Sequence, residues 1–389
     1  MRLNRTALFY FAASVSLAAL LVAASVVLTD APTAVAGTIP PDRVVARLQA
    51  GAAKYPPALT ADIAAQRAAP SDMALALQTA RGMIAFGRER GDSRLVGGAA
   101  GVLRPFLSDD NPQALYLAAT ARQYQHDFPG ALALLDRAAK ADPRDVNIML
   151  TRATIHIVQG EFDIARQGCE QITALDQPAV GFLCMATSHT LTDQGPAYRT
   201  RLEAILAQPG ALDAGLRPWA IGLVGEIALH QGDLPSAMAA FQQVLALDPL
   251  ALRERLMLAD IMLTAGQSAQ VLSLLAGAPD TDGVLIRRVM ADPSQSDAMR
   301  ATLAARFKLN LDLGLTAHAR EEAMYFAKIA PDPAMALARA QVNWALQHEV
   351  EDAVLLIDAS TAAGTPDAAN PVRSWMAKMG VTLPLPPAQ

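Results

Sequence analysis

The feature that most constrains the fold of this chain is a stride of 34 residues that separates small side chains. Ala131 and Ala165 are 34 positions apart, and so are Gly232 and Gly266. A fixed stride of this size is typical of proteins in which each repeat packs only on its neighbours. The stride therefore predicts a row of similar units and not one central core.

Residues 218–251 contain one complete unit, which we interpret as two short helices joined by a tight turn. Gly225 and Ala237 are small enough to let two helices cross closely. Phe241 would fill the gap to the neighbouring hairpin, and Pro249 cannot continue a helix. The unit is thus predicted to be a helical hairpin that ends at a proline.

These four residues stand at positions 8, 20, 24 and 32 of a 34-residue unit, and in this pattern the chain resembles the tetratricopeptide repeat (TPR) family, of an exported bacterial type. The resemblance implies an all-α fold, a right-handed α-solenoid of about seven helical hairpins with capping helices. It also implies that the concave groove of the solenoid binds a protein or peptide partner.

The spacing of the small residues divides the chain into segments. The solenoid is predicted over 78–367, with an irregular unit at 180–217 and an insertion at 286–299. Beyond the insertion, the stride predicts two further units at 300–333 and 334–367. The flanking segments are predicted to be a linker and N-terminal cap at 37–77, and a C-terminal cap helix with a proline-rich tail at 368–389.

The N-terminal segment 1–36 carries a targeting pattern. Arg2 and Arg5 precede an apolar run over residues 7–28 that contains no charged side chain. This order is typical of a secretory signal peptide, here with a cleavage pattern ending at Ala36, or of a single transmembrane anchor formed by residues 7–28. Both interpretations stay open, and both predict that the body of the protein is periplasmic.

Composition and motif searches argue against several functions. The net charge is −5 and there is no long basic run, so binding to nucleic acid is not expected. No phosphate-binding loop or catalytic motif appears, and the histidines are scattered. We therefore expect no enzymatic activity, no metal and no cofactor. Cys169 and Cys184 would lie on adjacent helices, either as a disulfide or as two buried small residues.

The resemblance implies that positions 2, 5, 9, 12 and 13 of each first helix line the groove. Carried onto this sequence, the candidate partner-binding residues are Gln113, Tyr116, Thr120, Gln123, Tyr124, Asn147, Leu150, Thr154, Ile157, Val158, Trp219, Glu226, His230, Arg253 and Asp260. The family's clamp for carboxylate-ended peptides is not matched, because Asn147 stands alone.

The expected function is that of a non-catalytic periplasmic scaffold. The alternative is a membrane-anchored assembly factor that presents a client to an envelope machine, of the cytochrome c maturation or polymer export type.

Overall fold

The computed structural model describes residues 55–381, and these residues form nineteen α-helices. The predicted signal or anchor segment 1–36, the linker up to residue 54 and the tail from residue 382 lie outside the described residues. The helices are α1 Pro57–Ala68, α2 Met73–Arg90, α3 Ser93–Leu103, α4 Pro112–Tyr124, α5 Phe128–Ala141, α6 Val146–Val158, α7 Phe162–Ala174, α8 Pro178–Ser188, α9 Gly195–Leu206, α10 Arg217–His230, α11 Leu234–Leu247, α12 Leu252–Thr264, α13 Ser268–Leu274, α14 Asp282–Ala291, α15 Asp297–Asp312, α16 Ala319–Lys328, α17 Pro333–Trp344, α18 Val350–Ala362 and α19 Asn370–Met379.

The helices from α2 onward stack as hairpins in two rows, so the predicted all-α solenoid is confirmed. The even-numbered helices form the first row, in which α2 contacts α4, α6 contacts α8, and α14 contacts α16. The odd-numbered helices form the second row, and α1 packs against α2 at the N-terminal end. Between residues 55 and 381 the β pairing consists of one isolated bridge.

The hairpin of α10 and α11 shows why small residues are required at the helix crossing. A Cβ atom on Gly225 would lie 2.6 Å from the Phe241 ring and 3.1 Å from the Cβ of Ala240. The turn uses Gly232 with a φ of +74°, a conformation that glycine adopts without strain. The side chain of Asp233 then caps α11 by accepting a hydrogen bond from the backbone N–H of Ser236 at 3.2 Å.

The pairing of helices after residue 285 differs from the units predicted at 300–333 and 334–367. Helices α16 and α17 form the close pair, and α16 contacts α14 and α18 of its own row. The reason lies in 286–299, which was predicted as an insertion. Residues 286–299 form the second half of α14, a short turn and the start of α15. Ile286 and Val289 are buried, and this burial of apolar side chains stabilises the helix in place of a loop. The predicted pairing is therefore wrong by one helix in this region.

The spiral closes on itself through the C-terminal end of the described chain. The backbone N–H of His348 donates to the carbonyl oxygen of Val158 at 2.7 Å. The Trp375 indole N–H donates to the carbonyl oxygen of Gly160 at 3.3 Å. These contacts join the loop before α18 and helix α19 to the turn between α6 and α7.

Two further contacts join parts of the chain that are distant in sequence. Val381 forms an isolated antiparallel bridge with Thr192, which follows α8. Gly91, in the turn between α2 and α3, lies so close to Thr281 that an added Cβ would be 2.2 Å from its Cγ2. We call His348, Trp375 and Val381, with their contacts, the C-terminal latch. The later part of the described chain therefore packs against the ends of hairpins in its earlier part.

Among the described residues, no helix is both long enough and apolar enough to cross a bilayer.

Candidate functional site

An apolar pocket lies in the first row of helices, between α6, α8 and α10. Its cavity volume is about 250 Å³. The lining residues are Leu150, Thr154, Ile157, Cys184, Thr187 and Trp219. Four of the six, Leu150, Thr154, Ile157 and Trp219, are candidate groove residues that the sequence placed on two different units. We call this cavity the Trp219 pocket.

The polar groups of the Trp219 pocket already have hydrogen-bond partners within the protein. The Trp219 indole N–H donates to Thr187 Oγ1 at 3.3 Å, and that hydroxyl donates to the carbonyl oxygen of Leu183 at 2.8 Å. The Thr154 hydroxyl donates to the carbonyl oxygen of Leu150, also at 2.8 Å. Because these donors are used internally, the pocket offers an incoming group mainly apolar contact.

A disulfide supports one wall of the pocket. Cys169 on α7 and Cys184 on α8 are bonded, with their Cα atoms 5.4 Å apart, a separation common for disulfides. Both residues are buried, and they belong to one apolar cluster on which Trp219 packs. The cross-link therefore fixes α8, which carries the pocket wall, against α7.

The charged groove candidates lie further along the row and are engaged by the chain's own side chains. Arg253 forms an ion pair with Glu226. Its Nη2 also lies 3.5 Å from Oε1 of Glu349, the residue that precedes α18. Asp260 accepts a hydrogen bond from the Nε of Arg287 at 2.7 Å. Helices α10, α12, α14 and the start of α18 thus meet through charged side chains. These contacts join charged side chains of the first row to one another and to the start of α18.

Burial and neighbouring charges shift the pKa values of the acidic side chains in this cluster in different directions. Burial raises the pKa of Glu226, although Arg253 acts against it. Burial also raises the pKa of Asp260. For Glu349, burial is outweighed by Arg320 and Arg253, which lower its pKa to about 2. Glu349 therefore stays ionised and pairs with Arg253 on α12 and Arg320 on α16. In this way it links these two helices to the start of α18.

Four candidates on α4, together with Asn147 on α6, lie away from the Trp219 pocket. Thr120 is buried, and its hydroxyl donates to the carbonyl oxygen of Tyr116 at 2.9 Å. Tyr116 and Tyr124 are partly buried against the N-terminal core, and burial raises the pKa of Tyr124. Gln113 accepts a hydrogen bond from an arginine of α2, and Asn147 is exposed. These five residues lie outside the lining of the Trp219 pocket.

His230 is also engaged by the chain. Its Nδ1 lies 3.1 Å from the carbonyl oxygen of Thr190, to which it donates, and burial lowers its pKa. No group of three histidine, cysteine, aspartate or glutamate side chains within residues 55–381 is arranged to hold a metal ion.

Cys184 and Thr187 line the pocket but were not predicted as groove residues, because they lie in the irregular unit 180–217. Cys184 is the fifth residue of that unit, a groove position in the pattern, so extending the pattern into this unit would have found it. Thr187 is the eighth, a position that normally serves helix crossing. Its role depends on Trp219, and no local sequence signal indicates that contact.

Comparisons with known proteins agree with this architecture. The family model described as tetratricopeptide repeat matches residues 123–180 and 228–292. A search of curated proteins finds no significant match. A solved structure of a Rap protein complexed with competence and sporulation factor is similar, with 12% identity and a TM-score of 0.50, over 82% of this chain and 94% of that one.

A second similar structure is the APC/C hetero-tetramer Cut9-Hcn1, with 13% identity and a TM-score of 0.41 over 82% of this chain and 68% of that one. At such identities only the fold is compared. The tetratricopeptide repeat model thus matches two segments of the chain, and the stacked helical hairpins have the architecture of that repeat.

Proposed function

We propose that this protein is a non-catalytic scaffold that holds a protein or peptide partner on its concave face, with an apolar side chain of the partner in the Trp219 pocket. The observation that carries the proposal is the pocket itself. Three consecutive inner helices build it, and its polar groups are already satisfied within the chain. An apolar side chain gains free energy on entering such a site, whereas a charged group would lose its hydration.

The spacing of the helices suits an extended partner segment. Neighbouring packed helices are about 8–10 Å apart, so three of them span roughly 18 Å. An extended peptide advances about 3.3 Å per residue, so about six residues would cross α6, α8 and α10. The similar Rap structure holds competence and sporulation factor, which is consistent with this kind of role for the fold.

The test uses peptides selected from a displayed random library on the immobilised full chain, followed by affinity measurement with fluorescence polarisation. Trp219→Ala should weaken binding about 30-fold, the effect of losing a central aromatic contact worth about 2 kcal/mol. The matched control is Ile164→Ala, because Ile164 is an apolar residue that is 49% exposed and lies outside the pocket. Equal loss in both variants, or no loss in Trp219→Ala, would reject the pocket as the binding position.

We further propose that the body of the protein is periplasmic and is exported through residues 1–36. The support is the sequence pattern of charge, apolar run and cleavage motif. Mass spectrometry of the mature N-terminus distinguishes the two routes. A start at Gly37 supports a scaffold freed from the membrane, and retention of residues 7–28 supports the anchored assembly factor. A chain found only in the cytoplasm would contradict both.

A further inference from the structure

We propose that the segment 382–389, which directly follows the latch, docks in the Trp219 pocket of its own chain and competes there with the partner. This inference rests on the proposed function, because it concerns regulation of the same pocket. It starts from the position of Val381, the last residue that the structure describes.

The direction of the chain at Val381 points toward the pocket. Val381 pairs with Thr192 in an antiparallel bridge. In an antiparallel arrangement, the residues after Val381 run alongside residues that precede Thr192. Those residues lead back to the C-terminal end of α8, and α8 carries the pocket residues Thr187 and Cys184.

The latch and the pocket also share a side chain. Ile157 lines the Trp219 pocket, and it packs against the apolar cluster of Phe162, Leu191 and Val381. The two sites are therefore continuous along the concave face, and a segment that leaves Val381 meets apolar surface from its first residues.

The length and composition of the segment fit this path. Thr187 is five residues before Thr192, a distance on the order of 10 Å in a helix end followed by turns. A proline-rich segment advances about 3.1 Å per residue, so Leu385 would reach about 12 Å from Val381. The sequence Thr-Leu-Pro-Leu-Pro-Pro-Ala-Gln has no charged side chain and alternates leucine with proline.

The physical consequence is competition within one molecule. A segment tethered next to its site acts at an effective concentration of about millimolar, so even weak docking occupies the pocket. The prolines reduce the conformational entropy lost on docking. A partner peptide must displace the segment, and weakening the segment should strengthen partner binding.

The experiment uses the full chain and, as the probe, a labelled synthetic peptide with the sequence of residues 382–389. The release variant is Leu383→Asp with Leu385→Asp. The matched control, Ala388→Asp with Gln389→Asp, adds the same charge to the same segment beyond the leucines. Fluorescence polarisation should show that the probe binds the release variant at least tenfold more tightly than the wild-type and control chains.

Adding Trp219→Ala to the release variant should remove this gain. Equal affinity of the probe for all three chains, or a gain that survives Trp219→Ala, would overturn the proposal. Docking into a second copy would appear as a concentration-dependent dimer of the wild-type chain that the release variant lacks, and this outcome would also overturn it.

The failure of this inference can be distinguished from failure of the proposed function. If library-selected peptides depend on Trp219 but bind the wild-type and release chains equally, the docked segment is rejected and the pocket stands. If the selected peptides also ignore Trp219, both proposals fail.

Discussion

The requirement for a small residue at each helix crossing can be tested inside one helix, α10. Gly222 and Gly225 are both buried and both helical. A Cβ atom at position 222 would have its nearest neighbour, a Glu254 carboxylate oxygen, at 3.4 Å, which is an ordinary contact. At position 225 it would lie 2.6 Å from the Phe241 ring. The substitutions Gly222→Ala and Gly225→Ala therefore share their helix propensity and differ in their packing.

The expected free energies follow from these two effects. Replacing glycine by alanine within a helix stabilises it by about 0.8–1 kcal/mol. Forcing a methyl group into a closely packed crossing costs about 1–3 kcal/mol. Gly222→Ala should therefore raise the free energy of unfolding by nearly 1 kcal/mol, and Gly225→Ala should lower it by about 1 kcal/mol. The difference between the two variants, about 2 kcal/mol, is the quantity of interest.

Urea denaturation followed by far-ultraviolet circular dichroism measures this difference, provided that the slope with denaturant concentration stays unchanged. If the two alanines stabilise the protein equally, the crossing of α10 and α11 tolerates a larger residue. The physical basis of the repeat interpretation would then be wrong.

Three further predictions concern the latch, one histidine and the disulfide. Gly160 and Gly266 have φ values of +72° and +70°, so alanine is equally strained at both positions. Only at Gly160 would an added Cβ lie 2.4 Å from the Trp375 ring. In urea denaturation, Gly160→Ala should therefore lower the free energy of unfolding by about 1–3 kcal/mol more than Gly266→Ala. Burial lowers the pKa of His126 to about 4, so the free energy of unfolding falls as the pH is lowered from 6.5 to 4. Asparagine tolerates the same positive φ, so His126→Asn should remove about 3 kcal/mol of that loss when unfolding is measured across this range. Reducing the disulfide should lower the free energy of unfolding by about 3 kcal/mol for its separation of 15 residues, whereas a variant with alanine at both cysteines should show no change with reductant.

The hairpin fold could be predicted because each repeat depends on nearby residues. Gly225, Ala237 and Phe241 determine the packing of one hairpin and lie close together in sequence. Similar small residues recur along the chain at the 34-residue stride, so the same packing is predicted for the other hairpins. The same pattern predicts groove positions for Leu150, Thr154 and Trp219, and the structure brings these three side chains together in one pocket.

The closure of the spiral could not be predicted in this way. His348 and Val158 are 190 residues apart, and their meeting depends on the rotation between hairpins summed over the whole solenoid. A small change in each rotation would separate them. The same limit explains why Glu226, Arg253 and Asp260 were predicted as groove residues, whereas they contact the protein's own charged side chains.

The central claim is that the concave face at the Trp219 pocket receives a peptide segment, and photo-cross-linking tests it most directly. A photoreactive benzoylphenylalanine would replace Leu150 in the pocket or, in the control, Ile164 outside it. After irradiation with a labelled selected peptide, mass spectrometry locates the cross-links. The account predicts cross-links from position 150 to the peptide and none from position 164. Cross-links from position 164 alone would contradict it.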